Sequence, residues 1–157
     1  MRGAHFDATF ATLDCYTESL SSAFSPTKLT QPFDVVSMQF CMHYAFETVQ
    51  KAHIMLENVS RWLRPGGIFV GTIPNSDQLL YVLRPILRVN LIDVSHRERL
   101  DALPEDAEDL SFGNSVYRIR FDERESKPIF GHKYWFFLQD AVENVPEYIV
   151  RWQNFIE

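Results

Sequence analysis

Two short apolar runs, separated by one amphipathic segment, constrain the fold of this chain most. The first run, residues 33–40, and the second, residues 68–73, have the length and composition of strands buried on both faces. Between them, residues 46–63 place apolar side chains at helical spacing, and Pro65-Gly66-Gly67 ends that helix. This succession predicts a βαβ unit with parallel strands, and therefore an α/β fold.

Polar and aromatic residues follow the first predicted strand at the point where it ends. They are Gln39, His43 and Tyr44. In open α/β sheets the ligand crevice lies just beyond the carboxyl ends of the strands. The sequence therefore predicts a binding site here.

The second half of the chain is less regular. A helix is predicted over about residues 77–89, after an N-cap in the turn at residues 74–77. The charged residues 93–110 are expected to form a mobile insertion. Residues 115–121 and 133–138 are β-prone and are expected to pair as a hairpin with a long loop.

Two predictions concern the ends of the chain. Residues 10–15 are typical of a short strand that ends near the acidic Asp14. Residues 148–156 are predicted to form a helix that starts after Pro146. The three residues 112–114 are interpreted as a turn.

Composition excludes several classes of function. A net charge of -6 argues against broad non-specific phosphate binding, although a site that reads one nucleotide is compatible with it. Cys15 and Cys41 do not make a disulfide framework, which favours a reducing compartment. Apolar runs are too short for a membrane span. The histidines outside the predicted site have no metal-ligand spacing and are interpreted as surface or turn residues; they are His53, His96 and His132.

A set of motifs resembles the messenger-RNA cap guanine-N7 methyltransferases of eukaryotes, and most of all the fungal ones. Gln-Phe-x-x-His-Tyr at 39–44, Phe-Gly-x-Lys-Tyr at 130–134 and Val-Pro-Glu at 145–147 are specific in this order. Pro-Gly-Gly at 65–67 is common to many methyltransferases and adds little alone. The resemblance covers the chain from about Leu13 onward.

The resemblance implies a class I (Rossmann-like) S-adenosylmethionine-dependent methyltransferase fold. Members of that family carry a Gly-rich donor-binding loop after their first strand and further strands after the Val-Pro-Glu segment. This sequence contains neither, so residues 1–157 are expected to be an incomplete catalytic domain. The implied reaction is transfer of methyl from S-adenosylmethionine to N7 of the 5′ cap guanine of GpppN-RNA, in the nucleus. The implied partners are capped mRNA and proteins of the capping or transcription apparatus, with no membrane and no metal.

This reaction needs positioning rather than acid–base catalysis. Guanine N7 has a free in-plane lone pair and no proton to lose, so no general base is required. Catalysis should come from holding the nucleophile in line with the methyl group, in a site that tolerates charge on the purine.

Glu147 is the sharpest candidate on the guanine side. A carboxylate can accept from guanine N1–H and N2–H together, which adenine cannot offer. The resemblance assigns that role to Glu147, which could also stabilise positive charge on the methylated base. The alternative is an ordinary acidic residue at a helix start.

Aromatic residues would complete the guanine pocket. The resemblance places His43 and Tyr44 beside the guanine, and suggests that Phe40 and Phe130 wall the pocket. The alternatives are a buried, hydrogen-bonded histidine, a core tyrosine and two apolar core residues.

The donor side has three candidates. The resemblance matches Asp14 to an acid that accepts from the adenine amino group, Gln39 to a residue that touches the cofactor, and Tyr44 to one near the methyl donor. The alternatives are a loop residue for Asp14 and a polar strand end for Gln39.

Three functions stay open at this point. The first is the cap-binding part of an active guanine-N7 methyltransferase. The second is a non-catalytic cap-binding or regulatory module of the same family, which the missing Gly-rich loop favours. The third is a small-molecule class I methyltransferase, against which Val-Pro-Glu and Phe-Gly-His-Lys-Tyr argue.

Overall fold

The computed structural model describes residues 8–80, 100, 103–124 and 128–156. Helices and strands alternate in the first part and strands dominate the second, so the chain is α/β. Its elements, in chain order, are a 3-10 helix (Leu20–Ser22), β1 (Phe33–Gln39), a 3-10 helix (Met42–Glu47), α1 (Val49–Trp62), β2 (Leu63–Thr72), α2 (Ser76–Leu80), β3 (Ser111–Gly113), β4 (Tyr117–Phe121), β5 (Lys133–Leu138), β6 (Val142–Tyr148) and α3 (Trp152–Ile156).

The chain divides into two compact units. The first comprises Met1–Ser37 and Gln50–Val70, and the second comprises Met38–Val49 and Gly71–Glu157. Among the described residues, no helix is both long and apolar enough to cross a lipid bilayer.

The predicted strand–helix–strand unit is confirmed. β1 and β2 pair, with α1 between them in sequence. Gly67 lies against the Asp34 carbonyl and Gly71 against that of Met38, so both strands run in the same direction. The helix is shorter than predicted, because Met42–Glu47 form a separate 3-10 helix.

Burial of the two strands is not as predicted. Val35 of β1 is 51% exposed and Ile68 of β2 is 61% exposed. Exposed side chains alternate with half-buried ones such as Val36 and Phe69, so one face of this two-stranded sheet is open among the described residues and the other is partly covered.

The segment before β1 is held to α1 by one buried side chain. Residues 8–14 contain no strand, so the strand predicted at residues 10–15 is wrong. Asn58 of α1 instead donates to the carbonyl oxygens of Cys15 and Glu18 and accepts from the Leu20 N–H. A buried amide that satisfies three backbone groups fixes an irregular segment, because unpaired polar groups in the interior are costly.

An antiparallel sheet in the order β3-β4-β5-β6 organises the second unit. The predicted hairpin is confirmed, with Ile119 of β4 opposite Phe136 of β5. Residues 112 and 113, predicted as part of a turn, belong to β3. The turn follows at Asn114, whose Oδ1 accepts from the backbone N–H groups of Val116 and Tyr117.

The predicted C-terminal helix is mostly wrong. Val145, Pro146 and Glu147 lie in β6, and helix α3 begins only at Trp152. β6 pairs with the aromatic strand β5, and this pairing outweighs the local preference for a helix after proline. Pro146 is tolerated because β6 is an edge strand of the described sheet.

One face of this sheet packs into an apolar core. Its buried members are Leu79, Leu80, Leu100, Phe112, Ile119, Phe121, Tyr134 and Ile149. Leu100 falls within the predicted mobile insertion at 93–110 and is fully buried. The other residues of 93–102 lie outside the described residues, as does most of the helix predicted at 77–89, of which α2 is the described part. The predicted N-cap is Asn75, whose side chain accepts from the N–H groups of Asp77 and Gln78.

Candidate functional site

The centre of the site is the buried carboxylate of Glu147 on β6. Side chains alternate between the two faces of a strand, so Glu147 points to the core side, while its neighbour Pro146 points away. Only 5% of the Glu147 residue surface is exposed. A buried carboxylate needs partners that donate to it, and the chain supplies two tyrosine hydroxyls that donate and a histidine nearby.

Tyr134 and Tyr44 donate one hydrogen bond to each oxygen of this carboxylate. Tyr134 lies directly opposite Glu147 in the β5–β6 register, and its hydroxyl donates to Oε2 at 2.5 Å. The Tyr44 hydroxyl donates to Oε1 at 3.1 Å. These bonds fix the plane of the carboxylate.

His43 is the third partner, and its contact is of a different kind. Nε2 of this buried ring lies 3.3 Å from Glu147 Oε1, although the contact lacks the alignment of a hydrogen bond. The His43 and Tyr44 ring centroids are 4.5 Å apart, so both rings approach the carboxylate together. Both residues are consecutive in the 3-10 helix Met42–Glu47, which therefore carries them to the carboxylate together.

These partners keep Glu147 ionised. Burial alone raises the pKa of the carboxyl, but the His43 and Tyr134 contacts, with a smaller contribution from Tyr44, hold that pKa below its usual range. The pKa values of the two tyrosine hydroxyls shift in the opposite direction. Burial, together with the negative charge of Glu147, raises the pKa of the Tyr44 hydroxyl to about 12 and raises that of Tyr134 as well. Both hydroxyls therefore remain donors at neutral pH.

An aromatic layer lies next to this cluster along the same 3-10 helix. Phe46 stacks on Phe130 with ring centroids 5.7 Å apart and planes 12° apart, and Phe155 packs nearby. The Gly131 N–H donates to the Phe46 carbonyl at 2.9 Å. The backbone of Gly131 has a positive φ of 76°, which glycine adopts without strain, and this turn seats Phe130.

Phe40 is exposed and has an unusual backbone. It follows β1 with φ of 56°, where a large side chain costs about 1–2 kcal/mol. Its N–H donates to Thr72 Oγ1 at 2.8 Å, and 75% of the residue is exposed. The expectation that Phe40 is a buried strand residue is therefore wrong. Such strain in an exposed aromatic residue is typical of functional positions.

The donor-side candidates lie on two elements. Asp14 is an exposed turn residue of the first unit, and its Oδ1 accepts from the Tyr16 N–H. Gln39 is exposed at the carboxyl end of β1, in the second unit with Tyr44. The assignments of Asp14, Gln39 and Tyr44 to the donor remain predictions.

The structure joins His43, Tyr44 and Glu147 in one cluster and brings in two residues that had no predicted role. Tyr134 fixes Glu147, and Phe46 supports Phe130. Alternation in β5 would have paired Tyr134 with Glu147 only if β6 had been recognised as a strand.

His132, predicted as a surface or turn residue, is buried, whereas His53 is exposed as expected. Within the described ranges, no group of side chains has the arrangement of a metal site.

Comparison with known proteins assigns the chain to a family. The model of the "mRNA (guanine-N(7))-methyltransferase domain" family matches residues 1–157. An mRNA cap guanine-N(7) methyltransferase of Cryptococcus neoformans is 51% identical over 152 residues, which cover 96% of this chain and 22% of that protein.

Two further relatives have the same name and similar coverage. The Schizosaccharomyces pombe protein is 41% identical, with 97% of this chain and 37% of its own length covered. The Candida albicans protein is 37% identical, with 95% and 31% covered. The chain thus spans between about a fifth and two fifths of the relatives that it matches. Because the family model matches residues 1–157, this chain belongs to the mRNA (guanine-N(7))-methyltransferase domain family.

Proposed function

We propose that this chain is the guanine-recognising part of an enzyme that transfers methyl to N7 of the mRNA cap guanine. The observation that carries the proposal is the buried, ionised carboxylate of Glu147 with a tyrosine hydroxyl on each oxygen. Relatives at 37–51% identity are named mRNA cap guanine-N(7) methyltransferases.

The hydrogen-bonding capacity of Glu147 suits guanine. Its two oxygens offer about four acceptor positions. Tyr44 uses one position on Oε1 and Tyr134 uses one on Oε2, while the His43 contact is not aligned as a hydrogen bond. One position on each oxygen can therefore accept from guanine N1–H and N2–H. Adenine offers no matching pair of donors.

The same carboxylate suits the product of the reaction. Methylation at N7 gives the purine a positive charge, and a fixed negative charge beside the ring stabilises that change. His43 and Tyr44 would lie against the base, and Phe40 and Phe130 would wall the pocket. Stacking on an aromatic ring contributes about 1–3 kcal/mol per base.

S-adenosylmethionine would supply the methyl group as an electrophilic sulfonium. Gln39 ends β1 and Tyr44 follows that strand, at the edge where α/β folds bind ligands, so both would fit a donor pocket. Asp14, an exposed carboxylate, has the chemistry to accept from an adenine amino group. We extend the proposal to a class I (Rossmann-like) sheet that includes β1 and β2, and to capped mRNA as partner in the nucleus.

Titration with two ligands tests the proposal. The intact protein would be titrated by calorimetry with the cap analogue GpppA and, separately, with S-adenosylhomocysteine. Glu147→Gln should weaken GpppA binding by about 10-fold or more, because the amide nitrogen presents a donor to a guanine N–H. Binding of S-adenosylhomocysteine should not change.

Glu143→Gln is the matched control, since Glu143 is an exposed acid on the same strand. It should bind both ligands as the wild type does. Equal losses of both ligands in Glu147→Gln would contradict a guanine-reading role. Binding of GpppA without any methyl transfer from S-adenosylmethionine would favour a non-catalytic cap-binding module.

A further inference from the structure

The pairing of β5 with β6 is irregular between the hairpin turn and Glu147. Leu138 of β5 pairs with Val142 of β6, whereas Phe136 pairs with Val145. β6 therefore advances three residues where β5 advances two, and the extra residue forms a β-bulge. Bulges of this kind change the direction in which the following side chains point.

Asn144 lies within this bulge and has an unusual backbone. Its φ is 51°, in the left-handed region. Asparagine enters that region more readily than most residues with a side chain, because its short amide forms local hydrogen bonds. The residue is exposed, so packing in the core does not account for its conformation.

The bulge sets the face of the sheet on which Glu147 lies. Without it, regular pairing from the hairpin turn would place Pro146, not Glu147, opposite Tyr134. Glu147 would then lie opposite Lys133 and point away from the core, since a slip of one residue moves a side chain to the other face. The bulge therefore determines whether the carboxylate is part of the site.

The shifted pairing competes with the native one. It would lose the hydrogen bond from Tyr134 to Glu147, but it would also release a carboxylate that is only 5% exposed into solvent. It would set that carboxylate opposite the ammonium of Lys133, which already pairs with Asp122. Because each pairing has its own advantage, the backbone conformation at the bulge can decide between them.

We propose that Asn144 is a positioning residue for guanine recognition, because its left-handed conformation forms the bulge that holds Glu147 opposite Tyr134. Asn144 acts through the register of β6 and not by contact with the base. The inference rests on the proposed function for the role of the carboxylate.

Three changes at Asn144 test this role in the intact protein. Asn144→Val disfavours the left-handed conformation and favours an extended one, so GpppA affinity and its ratio to ApppA affinity should fall about 10-fold or more. Asn144→Gly suits a positive φ and should bind GpppA within about 2-fold of the wild type. Deletion of Asn144 removes the extra residue together with the bulge and leaves Glu147 opposite Tyr134, so affinity should again stay within about 2-fold.

Gly66→Val is the matched control for loss of stability. It places the same side chain at a position with φ of 75° and open space, in the other compact unit. The midpoint of thermal unfolding should fall, while the ratio of GpppA to ApppA affinity should equal that of the wild type. Strain alone would then not explain the loss of recognition in Asn144→Val.

Nuclear Overhauser contacts between β5 and β6 report the register directly. They should join Tyr134 to Glu147 in the wild type and Tyr134 to Pro146 in Asn144→Val. Native pairing in Asn144→Val would overturn the inference, as would loss of GpppA recognition in a folded protein that lacks Asn144. A shifted register with unchanged GpppA affinity would overturn the proposed function and leave the effect of Asn144 on the register standing.

Discussion

At the residue scale, the site depends on where single side chains meet. His43, Tyr44 and Glu147 are candidates from the sequence, yet 103 residues separate Tyr44 from Glu147, and local patterns do not bring them together. Tyr134 could not be assigned to the cluster from local sequence either. In sequence it is one more aromatic residue of a β-prone run, and only the β5–β6 register makes it the partner of the carboxylate.

Phe40 combines an exposed ring with a strained backbone, and substitution can separate the two. Phe40→Gly removes an exposed ring and relieves a backbone with φ of 56°. The free energy of unfolding should therefore change by less than about 1 kcal/mol, where a core Phe→Ala costs about 3–5 kcal/mol. Urea denaturation measures this change, and GpppA affinity should fall by about 10-fold through lost stacking.

Phe40→Ala is the control for Phe40→Gly. It removes the same ring and keeps the strained backbone, so it should be less stable than Phe40→Gly by about 1 kcal/mol. Normal GpppA affinity in both variants would remove Phe40 from the guanine pocket.

At the element scale, helices and strands with strong local patterns were predicted, and elements set by pairing were not. The strand–helix–strand unit and the β4–β5 hairpin follow from periodicity. β6 does not, because its Pro146 and acidic residues disfavour a strand, and only the pairing with β5 stabilises it. Glu147 of the Val-Pro-Glu motif was predicted at the start of a helix and lies in a strand, and its role in the site stays a prediction.

Two glycines allow a matched test of the β3–β4 connection. A Cβ atom on Gly113 would lie 2.3 Å from the Tyr117 carbonyl oxygen, whereas one on Gly66 would meet nothing within 4 Å; φ is positive at both. Gly66→Ala should therefore cost only the left-handed conformation, about 1 kcal/mol. Gly113→Ala adds a clash with the backbone, and should cost about 2–3 kcal/mol of unfolding free energy.

Urea denaturation compares the two glycine variants directly. Equal losses at both positions would mean that the close approach of β3 to β4 does not constrain this connection.

At the scale of the whole molecule, the α/β class was predicted correctly from the sequence, whereas the burial of several segments was not. Strands β1 and β2 have the apolar composition of a sheet covered on both faces, and among the described residues one of the two faces is open. Conversely, Leu100 is fully buried in a stretch whose charged neighbours predicted a surface segment. Apolar composition reports what a segment can bury, and the partner that covers it has to come from elsewhere in the fold.

Stability of the molecule should depend on pH at both extremes. The pKa of Glu147 is lowered from 4.5 in the fold, so its contribution is present above pH 4.5 and is lost as pH falls through the lower folded value. The pKa of Tyr44 is raised from 10.0 to about 12, so the contribution of its hydroxyl is present below pH 10 and is lost as pH rises through about 12.

Thermal unfolding midpoints between pH 3 and 12 measure both losses (the range follows from the ordinary pKa values of the two groups). Glu147→Gln should flatten the acid side of the profile, and Tyr44→Phe should reduce the decline on the alkaline side. An acid limb as steep in Glu147→Gln as in the wild type would mean that the carboxylate is not the group that titrates.

The proposed recognition of guanine by the Glu147 carboxylate can be measured as the ratio of GpppA to ApppA affinity. In the wild type, the two oxygens should accept from guanine N1–H and N2–H, and GpppA should bind more tightly than ApppA. Glu147→Gln should lower that ratio by about 10- to 100-fold, as expected for hydrogen bonds to a charged group. A ratio that is the same in the variant and in the wild type would show that the Glu147 carboxylate does not distinguish guanine from adenine.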